Sequence, residues 1–438
     1  RPPRSTLSPS SAASDVYKRQ ALNKYGQIFM FGVFFVIRVS SPARADFLNT
    51  HQDYKGLPVV PAALNIRLRV EGEVIGGSRV YVRSLNFLRE DLPCEDEFSL
   101  NDISYREKGW FGNYVRAVVN ILKKRGYGER ITGVRIDIDS EIPIGGGLGS
   151  SGSLEVALVK FFDAAFNLSL STKEVAEFSY LAEREELGIP CGRLDQYGAA
   201  FGGIIKLETR PPYNVENLPK RDFLFVVVDS GIKHSTADIH PRRQQEIDEG
   251  LKQLLEQKLP EKLREKLSLH HYDVEWEKIS EEEIFPFLST LNEKFADRIL
   301  FTIRMHKSTE LALKILRNQP ISVKEVAKVT QISFEDIGRK MEKNRKDLVL
   351  LGLIVNYQHL LLRDLYEVSL PEIEEIRYGM LEAGAYGVKI SGAGLGGSII
   401  GIVDKIDVRE KVLKAGLERG GVRGWVSTIG EGVKVEGD

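Results

Sequence analysis

Residues 143–156 read PIGGGLGSSGSLEV, and this stretch decides the fold of the chain around it. The segment before it, ITGVRIDIDSEI at 131–142, alternates apolar and polar residues, which predicts a half-exposed strand. The segment after it continues as the apolar run LEVALVKFF, which predicts a helix. The order strand, glycine loop, helix is therefore the first structural expectation.

The glycine loop predicts a site for an anion, specifically a phosphate. Glycines let the main chain approach oxygen atoms closely, so several backbone N–H groups can turn toward one point at the positive end of the helix. Ser150 and Ser151 add hydroxyls for a phosphate or a hydrated Mg²⁺. The loop is not a Walker A motif, since no GK[ST] follows. The alternative role of this loop is a flexible connection between the strand and the helix. A second glycine cluster, SGAGLGG at 391–397, is expected to support the first.

Acidic residues between the two glycine clusters are candidates for chemistry. Asp195 lies in the glycine-flanked segment GIPCGRLDQYGAAFGG, where the alternative role is a local cap. Glu183 is a candidate metal ligand, because Mg²⁺ takes hard oxygen donors and usually only one or two of them from protein. Its alternative is a solvated glutamate on a helix face.

A polar loop near the start of the chain, SPARADFLNTHQDY at 41–54, brings Arg44, His51 and Asp53 together. Hydrogen-bond donors and acceptors clustered in this way suit a polyol, whose hydroxyls each need a partner when they are buried. The alternative is an ordinary polar surface loop.

Together these segments resemble the GHMP small-molecule kinases, and among them the galactokinases. Three motifs occur in the order of that family: SPARADFLNTHQDYKGLPVVPAAL near the start, PIGGGLGSSGSLEVA in the middle and KISGAGLGGS near the end. AEREELGIPCGRLDQYG, IKHSTADIHPRRQQ and RDLYEVSLPEI resemble further galactokinase segments, and the resemblance covers about residues 37–435.

The resemblance implies an α+β, two-domain GHMP kinase fold with the active site in the cleft between domains. The N-terminal domain is expected to be ribosomal-protein-S5-domain-2-like and to span 21–215, and the C-terminal domain to be a ferredoxin-like α/β sandwich spanning 216–438. The proline-rich, charged stretch RPPYNVENLPKR at 210–221 breaks the pattern near that boundary.

The implied reaction is transfer of the ATP γ-phosphate to a sugar hydroxyl, with galactose as the usual acceptor and with ATP and Mg²⁺ required. Carried over by position, Asp195 is the catalytic carboxylate and Arg44 its cationic neighbour, while Ser151 and Glu183 hold Mg²⁺. The nucleotide site is expected to comprise Pro143, Gly145, Gly146, Gly147, Leu148, Gly149, Ser150, Ser151, Gly394 and Gly396. The sugar site is expected to comprise Arg44, Thr50, His51, Asp53, Gly192, Asp195 and His240.

Two departures from the galactokinase pattern concern the acceptor. Thr50 stands where galactokinases carry a Glu, and His240 stands where a Tyr is expected. Each change alters a hydroxyl partner, so the alternative acceptors are a uronic acid, N-acetylgalactosamine, arabinose, a heptose or another hexose. A non-catalytic sensor of sugar and ATP is a further alternative.

Composition narrows the class of protein. The 438 residues contain 61 Lys+Arg and 62 Asp+Glu, so the net charge is −1 and no overall field attracts nucleic acid or an anionic membrane. Two cysteines, Cys94 and Cys191, are too few for a disulfide framework and fit a reducing compartment, so we expect a cytoplasmic monomer or homodimer.

Four further segments are interpreted separately. Residues 1–20 are expected to be a non-native tail, and the apolar run at 28–37 is interpreted as a buried strand rather than a signal peptide. SVKEVAKVTQISFEDIGRKM at 322–341 has the spacing of a DNA-binding helix-turn-helix, but we favour an amphipathic helical hairpin. Residues 242–295 are expected to be a solvated helical segment.

Overall fold

A six-stranded sheet forms the first structural layer of the computed structural model, which describes residues 36–233, 236–342 and 344–437. Its strands lie in the order β12-β1-β2-β5-β3-β4, and all neighbours are antiparallel except the parallel pair β3 and β5. Their bounds are β1 Ile37–Leu48, β2 Val60–Val74, β3 Arg79–Ser84, β4 Glu95–Ser99, β5 Val134–Ser140 and β12 Lys434–Val435.

Five helices belong to the same part of the chain, and α3 packs directly against β1 and β2. Their bounds are α1 Leu85–Arg89, α2 Gly112–Leu122, α3 Ser150–Phe166, α4 Thr172–Leu181 and α5 Leu194–Phe201. The alternation expected at 131–142 is confirmed, because Val134, Ile136 and Ile138 are buried in β5 while the residues between them are less buried. The predicted order of strand, glycine loop and helix is confirmed by β5 and α3.

A second, four-stranded antiparallel sheet lies in the order β11-β8-β10-β9. Its strands are β8 Leu224–Asp229, β9 Gly387–Ser391, β10 Ser398–Val403 and β11 Arg423–Ser427, and a two-stranded sheet is formed by β6 Ile205–Leu207 and β7 Val215–Asn217. The continuous Val/Phe run of β8 is buried on both faces, as its composition predicts. The helices that pack on this sheet are α12 Lys346–Asp364, α13 Pro371–Glu382 and α14 Ile406–Glu418.

The helical segment between β8 and β9, two strands of the second sheet, differs from the sequence expectation. Its elements are α6 Thr236–Leu255, α7 Glu261–Arg264, α8 Glu281–Leu288 and α9 Glu293–Leu316. The leucines at helical spacing do not face solvent throughout, because Leu251, Leu254 and Leu263 join Trp276 and Ile299 in a separate apolar core. The expectation of a solvated segment is therefore wrong for its apolar face, which packs against α9.

The segment at 322–341 forms two short helices, α10 Val323–Thr330 and α11 Phe334–Met341. Val326 and Ile337 are fully buried, so the apolar faces of the two helices are used for packing. Glu335 and Asp336 occupy the first turn of α11, where the N-terminal residues of a DNA-reading helix would contact base edges. The predicted pair of amphipathic helices is confirmed, and its role in packing rather than in DNA binding stays a prediction.

The molecule is thus of the mixed α+β class that the sequence predicts. Residues from Ile37 onward form one compact unit, and β12 near the end of the chain pairs with β1 near its start. The division at 215/216 stays a prediction. In the described part of the chain, no helix is long and apolar enough to cross a membrane. The expectations for residues 1–20 and for 28–35 lie outside the described residues.

Candidate active site

One cavity of about 520 Å³ brings the predicted site residues together. Its wall includes the glycine loop at the start of α3, the start of α5, the loop after β1 and the turn between β9 and β10. This volume is in the range of small-molecule sites. The predicted residues that line it are Arg44, His51, Asp53, Gly145, Gly146, Gly147, Gly149, Ser150, Ser151, Glu183, Gly192, Asp195 and His240.

The conformation of the glycine loop requires glycine. Gly145, Gly147 and Gly149 have φ angles of 71°, 71° and 72°, which other residues rarely adopt. A Cβ atom on Gly147 would lie 2.7 Å from the carbonyl oxygen of Ser391, whereas one on Gly145 would meet nothing within 4 Å. Gly149 is the N-cap of the 17-residue helix α3. The backbone N–H groups in the first turn of a helix have no partner within the helix, and Ser150 and Ser151 of this turn line the cavity.

The loop is fastened on two sides. The Arg44 backbone N–H in β1 donates to the Leu148 carbonyl at 3.0 Å, and the Ser398 hydroxyl in β10 donates to the Gly146 carbonyl at 2.6 Å. The carbonyl of Pro143 accepts the Gly146 N–H at 3.4 Å. The loop is therefore held in shape before any ligand binds.

The second glycine cluster supports the loop with residues other than those predicted. Gly392 and Ala393 line the cavity, whereas Gly394 packs close to Val368 and, with Gly396, is not among the lining residues. The assignment of Gly394 and Gly396 to the nucleotide site stays a prediction.

Arg44 and Asp195 form an ion pair beside the loop. The Arg44 Nε and Nη2 atoms lie 2.7 Å and 2.6 Å from the same oxygen, Asp195 Oδ1, and Arg44 Nη1 donates to the Gly147 carbonyl at 2.6 Å. The Arg44 side chain is 7% exposed and that of Asp195 is 28% exposed. Arg44 thus fixes one carboxylate oxygen and leaves the other, Oδ2, unengaged by its guanidinium.

Two glycines let these groups approach one another. A Cβ atom on Gly152 in α3 would lie 2.8 Å from the Cβ atom of Asp195, which explains how the start of α5 packs against α3. A Cβ atom on Gly192 would overlap Asp53 Oδ2. The absence of a side chain at Gly192 thus leaves room for the Asp53 carboxylate, and the absence of one at Gly152 leaves room for Asp195.

Asp53 lies in the helical turn Asp53–Lys55 after β1. Burial raises the pKa of Asp53 to about 6, although the nearby backbone N–H of Tyr54 lowers it. Repulsion by Asp195 raises the pKa of Asp53 further. The cavity thus carries a carboxylate that gains by accepting a hydrogen bond from a ligand.

His51 is oriented by a hydrogen-bonded chain. Its Nε2 donates to the Ala393 carbonyl at 3.0 Å, so Nδ1 accepts from the Tyr54 hydroxyl at 3.2 Å. The Tyr54 and Tyr366 hydroxyls lie 2.5 Å apart. Burial lowers the pKa of His51 well below its usual value, and His240 adds to this. His51 is therefore neutral at pH 7, and both of its ring nitrogens are already bonded.

His240 and Thr50 occupy different positions relative to the cavity. The His240 ring lies 5.1 Å from that of His51 and 5.3 Å from that of Tyr54, and it forms part of the cavity wall. Thr50 is buried and does not line the cavity; its hydroxyl contacts Asp46 and Lys389 instead. The assignments of His240 and Thr50 to the sugar site stay predictions.

Ser151 and Glu183 both line the cavity, and the Ser151 hydroxyl lowers the pKa of the Glu183 carboxyl. Burial raises the pKa of Glu183, with a contribution from Asp195. Gln196 Nε2 donates to Glu183 at 2.6 Å and to the fully buried Glu155 at 3.1 Å. A carboxylate and a hydroxyl beside a phosphate loop are a donor set that fits Mg²⁺.

One part of the cavity wall was indicated by no motif. It is apolar and includes Phe87, Phe111, Tyr114, Ile138 and Leu154. These residues lie in α1, at the N-cap of α2 and within it, in β5 and in α3, and in the sequence they are indistinguishable from core residues. Such a slot accepts a planar, apolar group such as a nucleotide base.

Comparisons with known proteins agree with this geometry. The family described as "GHMP kinases N terminal domain" matches residues 113–203, "GHMP kinases C terminal" matches 333–419 and "Galactokinase galactose-binding signature" matches 30–73. The galactokinase of Pyrococcus furiosus is 27% identical over 84% of this chain and 89% of its own, and that of Haemophilus influenzae is 27% identical over 91% and 94%.

A solved structure, the Lactococcus lactis galactokinase complexed with galactose, superposes with a TM-score of 0.72 at 24% identity. The match covers 96% of this chain and 99% of that one, so the two proteins share a fold. All of these comparisons agree with the motifs that lie around the cavity. The chain therefore belongs to the GHMP kinases, and the galactokinases are among its relatives.

Proposed function

We propose that the protein transfers the γ-phosphoryl group of ATP to the C1 hydroxyl of galactose, giving galactose 1-phosphate and ADP. The observation that carries the proposal is the Arg44–Asp195 pair, which touches the glycine loop through Gly147 inside a single cavity. A phosphate on the loop and an acceptor hydroxyl at Asp195 would then be neighbours.

The donor side of the cavity suits a nucleotide. The apolar slot around Phe87 and Phe111 accepts the base, and the main-chain amides from Gly145 to Ser150 receive the phosphates. Ser151 and Glu183 would hold Mg²⁺, which neutralises charge on the phosphates when it is bound. The free N–H groups of the first turn of α3 stabilise the same charge from the protein side.

The acceptor side suits a polyol. The Asp195 carboxylate accepts a hydrogen bond from the acceptor hydroxyl, which aligns the oxygen for attack on phosphorus. As the new O–P bond forms and the O–P bond to ADP breaks, the hydroxyl proton passes to Asp195. Arg44 holds the carboxylate in place and adds positive charge next to the transferred group. Since phosphoryl transfer gains mostly from alignment and charge neutralisation, this fixed pair is well suited to it.

The test is a coupled ADP-release screen with Mg-ATP and galactose, glucose, mannose, N-acetylgalactosamine, arabinose, a heptose and a uronic acid. We expect galactose to give the highest kcat/KM, with galactose 1-phosphate identified by phosphorus NMR. A different preferred sugar would overturn galactose as the acceptor. A lack of ADP release with every one of these sugars would overturn the proposal.

A further inference from the structure

Asp46 is a buried carboxylate that no motif assigned to the site. It lies two residues after Arg44 in β1, so both side chains belong to the same face of the strand, and it lines the same cavity as Asp53 and Asp195. The residue is 6% exposed. A carboxylate so nearly removed from water needs partners.

A short chain of hydrogen bonds holds Asp46 in place. Lys389 in β9 is fully buried, and its Nζ donates to the Asp46 carbonyl at 2.7 Å and to the Thr50 hydroxyl at 2.7 Å. The Thr50 hydroxyl donates in turn to Asp46 Oδ1 at 3.1 Å. The Asp46 backbone N–H is bonded to the Ser391 hydroxyl at 3.0 Å. The main chain and one carboxylate oxygen are therefore both fixed.

The other carboxylate oxygen is left for a ligand. Within residues 36–233, 236–342 and 344–437, Oδ1 receives the Thr50 hydroxyl and Oδ2 receives no hydrogen bond. The guanidinium of Arg44 is directed to Asp195 and Gly147. A hydroxyl group in the cavity is the kind of donor that would complete the partners of Asp46.

We propose that Asp46 binds a sugar hydroxyl other than the one that is phosphorylated, and that Thr50 and Lys389 are positioning residues for it. This inference rests on the proposed function and adds a specificity-determining residue to it. Because Asp46 is anchored from β9, its carboxylate fixes the sugar relative to the second sheet, while Asp195 fixes the reacting hydroxyl relative to α3 and α5.

Steady-state kinetics of full-length wild type, Asp46→Asn, Thr50→Val and Thr50→Ser test this with the preferred sugar and its monodeoxy analogues. We expect Asp46→Asn to raise the KM for the sugar about ten-fold or more, with the KM for ATP within about two-fold of wild type. Thr50→Val is expected to raise the sugar KM, and Thr50→Ser, which keeps the hydroxyl, to stay close to wild type.

The deoxy sugars identify the contact. With wild type, one deoxy analogue should have a lower kcat/KM than the parent sugar. With Asp46→Asn, that analogue and the parent sugar should have the same kcat/KM, since the substitution and the missing hydroxyl remove the same hydrogen bond. Asp163→Asn is the matched control, because Asp163 is a buried carboxylate in α3 that bonds the Leu170 N–H and does not line the cavity. Its sugar KM should equal that of wild type.

Two results would overturn the inference. In the first, wild type phosphorylates the sugar, and a folded Asp46→Asn protein has an unchanged sugar KM and the same losses across the deoxy series. If Asp46→Asn does not fold, equal sugar KM values for Thr50→Val and Thr50→Ser overturn the inference in its place. In the second, wild type phosphorylates no sugar, which overturns the proposed function and this inference with it.

Discussion

At the scale of single residues, the proposed mechanism makes turnover depend most on the Arg44–Asp195 pair. Asp195→Asn keeps the shape of the side chain and removes its charge, so the protein should fold and bind ATP with nearly unchanged affinity. Loss of an aligned acceptor for the hydroxyl proton is expected to lower kcat about 100-fold or more. Steady-state assays of ADP release measure kcat, and a nucleotide titration measures the affinity for ATP. Near-normal turnover would refute the role of Asp195.

Asp46 also makes a prediction about stability. Burial raises the pKa of Asp46 from its usual value to about 6, although Lys389, Arg44 and the Thr50 hydroxyl lower it, while Asp53 raises it. The native state therefore binds a proton more tightly than the unfolded chain does. This contribution stabilises the protein below about pH 4, and it is lost as the pH rises through 6.

Asp46→Asn should consequently be more stable than wild type at pH 7.5, by up to about 3 kcal/mol, with the advantage shrinking toward pH 4.5. Urea unfolding at a series of pH values measures the difference between the two proteins. A difference that stays constant between pH 4.5 and 7.5 would show that burial of this carboxylate does not set the effect. Asp163→Asn serves again as the buried control.

At the scale of elements, the glycine loop between β5 and α3 depends on its contact with β9. Alanine at Gly145 or at Gly147 must adopt a positive φ, which costs about 1–2 kcal/mol in either case. Only at Gly147 does the new Cβ also meet a backbone atom, the Ser391 carbonyl oxygen at 2.7 Å. Gly147→Ala should therefore be less stable than Gly145→Ala by about 1–3 kcal/mol in urea unfolding.

Equal stability of these two variants would mean that the loop is not held against β9. The pair is matched because both residues have the same φ angle, so strain in the backbone cancels from the comparison.

The same element shows what sequence can predict. The glycine loop, the helix after it and the strand before it follow from local pattern, because alternation, glycine clustering and an apolar run each act over a few residues. The resemblance to galactokinases implies that Thr50 belongs to the sugar site, which stays a prediction; the structure adds that its side chain is buried and accepts a hydrogen bond from Lys389. That contact joins residues far apart in the chain, and no local pattern signals it.

At the scale of the whole molecule, the end of the chain returns to the first sheet. Arg67 in β2 is buried and donates to the carbonyls of Glu431 and Gly432, each at 2.9 Å, as well as to the Ser40 hydroxyl and carbonyl. This guanidinium therefore ties β12 and the turn before it to β1 and β2. No sequence pattern predicts this closure, since a two-residue strand has no detectable period.

Arg67→Met leaves the buried Ser40 carbonyl and the less buried carbonyls of Glu431 and Gly432 without this donor, so it should lower the free energy of unfolding by about 2 kcal/mol or more. Arg69→Met is the matched control in the same strand, because Arg69 is about half exposed and pairs with Glu141 at 2.9 Å at the surface. Its effect should stay within about 1 kcal/mol. Urea unfolding of both variants tests this, and equal losses would contradict the closing role of Arg67.

The arrangement of the two substrates in one cavity is tested most directly by a structure of the protein with galactose, Mg²⁺ and a non-hydrolysable ATP analogue. We predict the terminal phosphate against the amides of 145–150 and the C1 hydroxyl of galactose about 3 Å from the Asp195 carboxylate. Nucleotide and sugar bound in separate cavities, or a C1 hydroxyl turned away from Asp195, would contradict this arrangement.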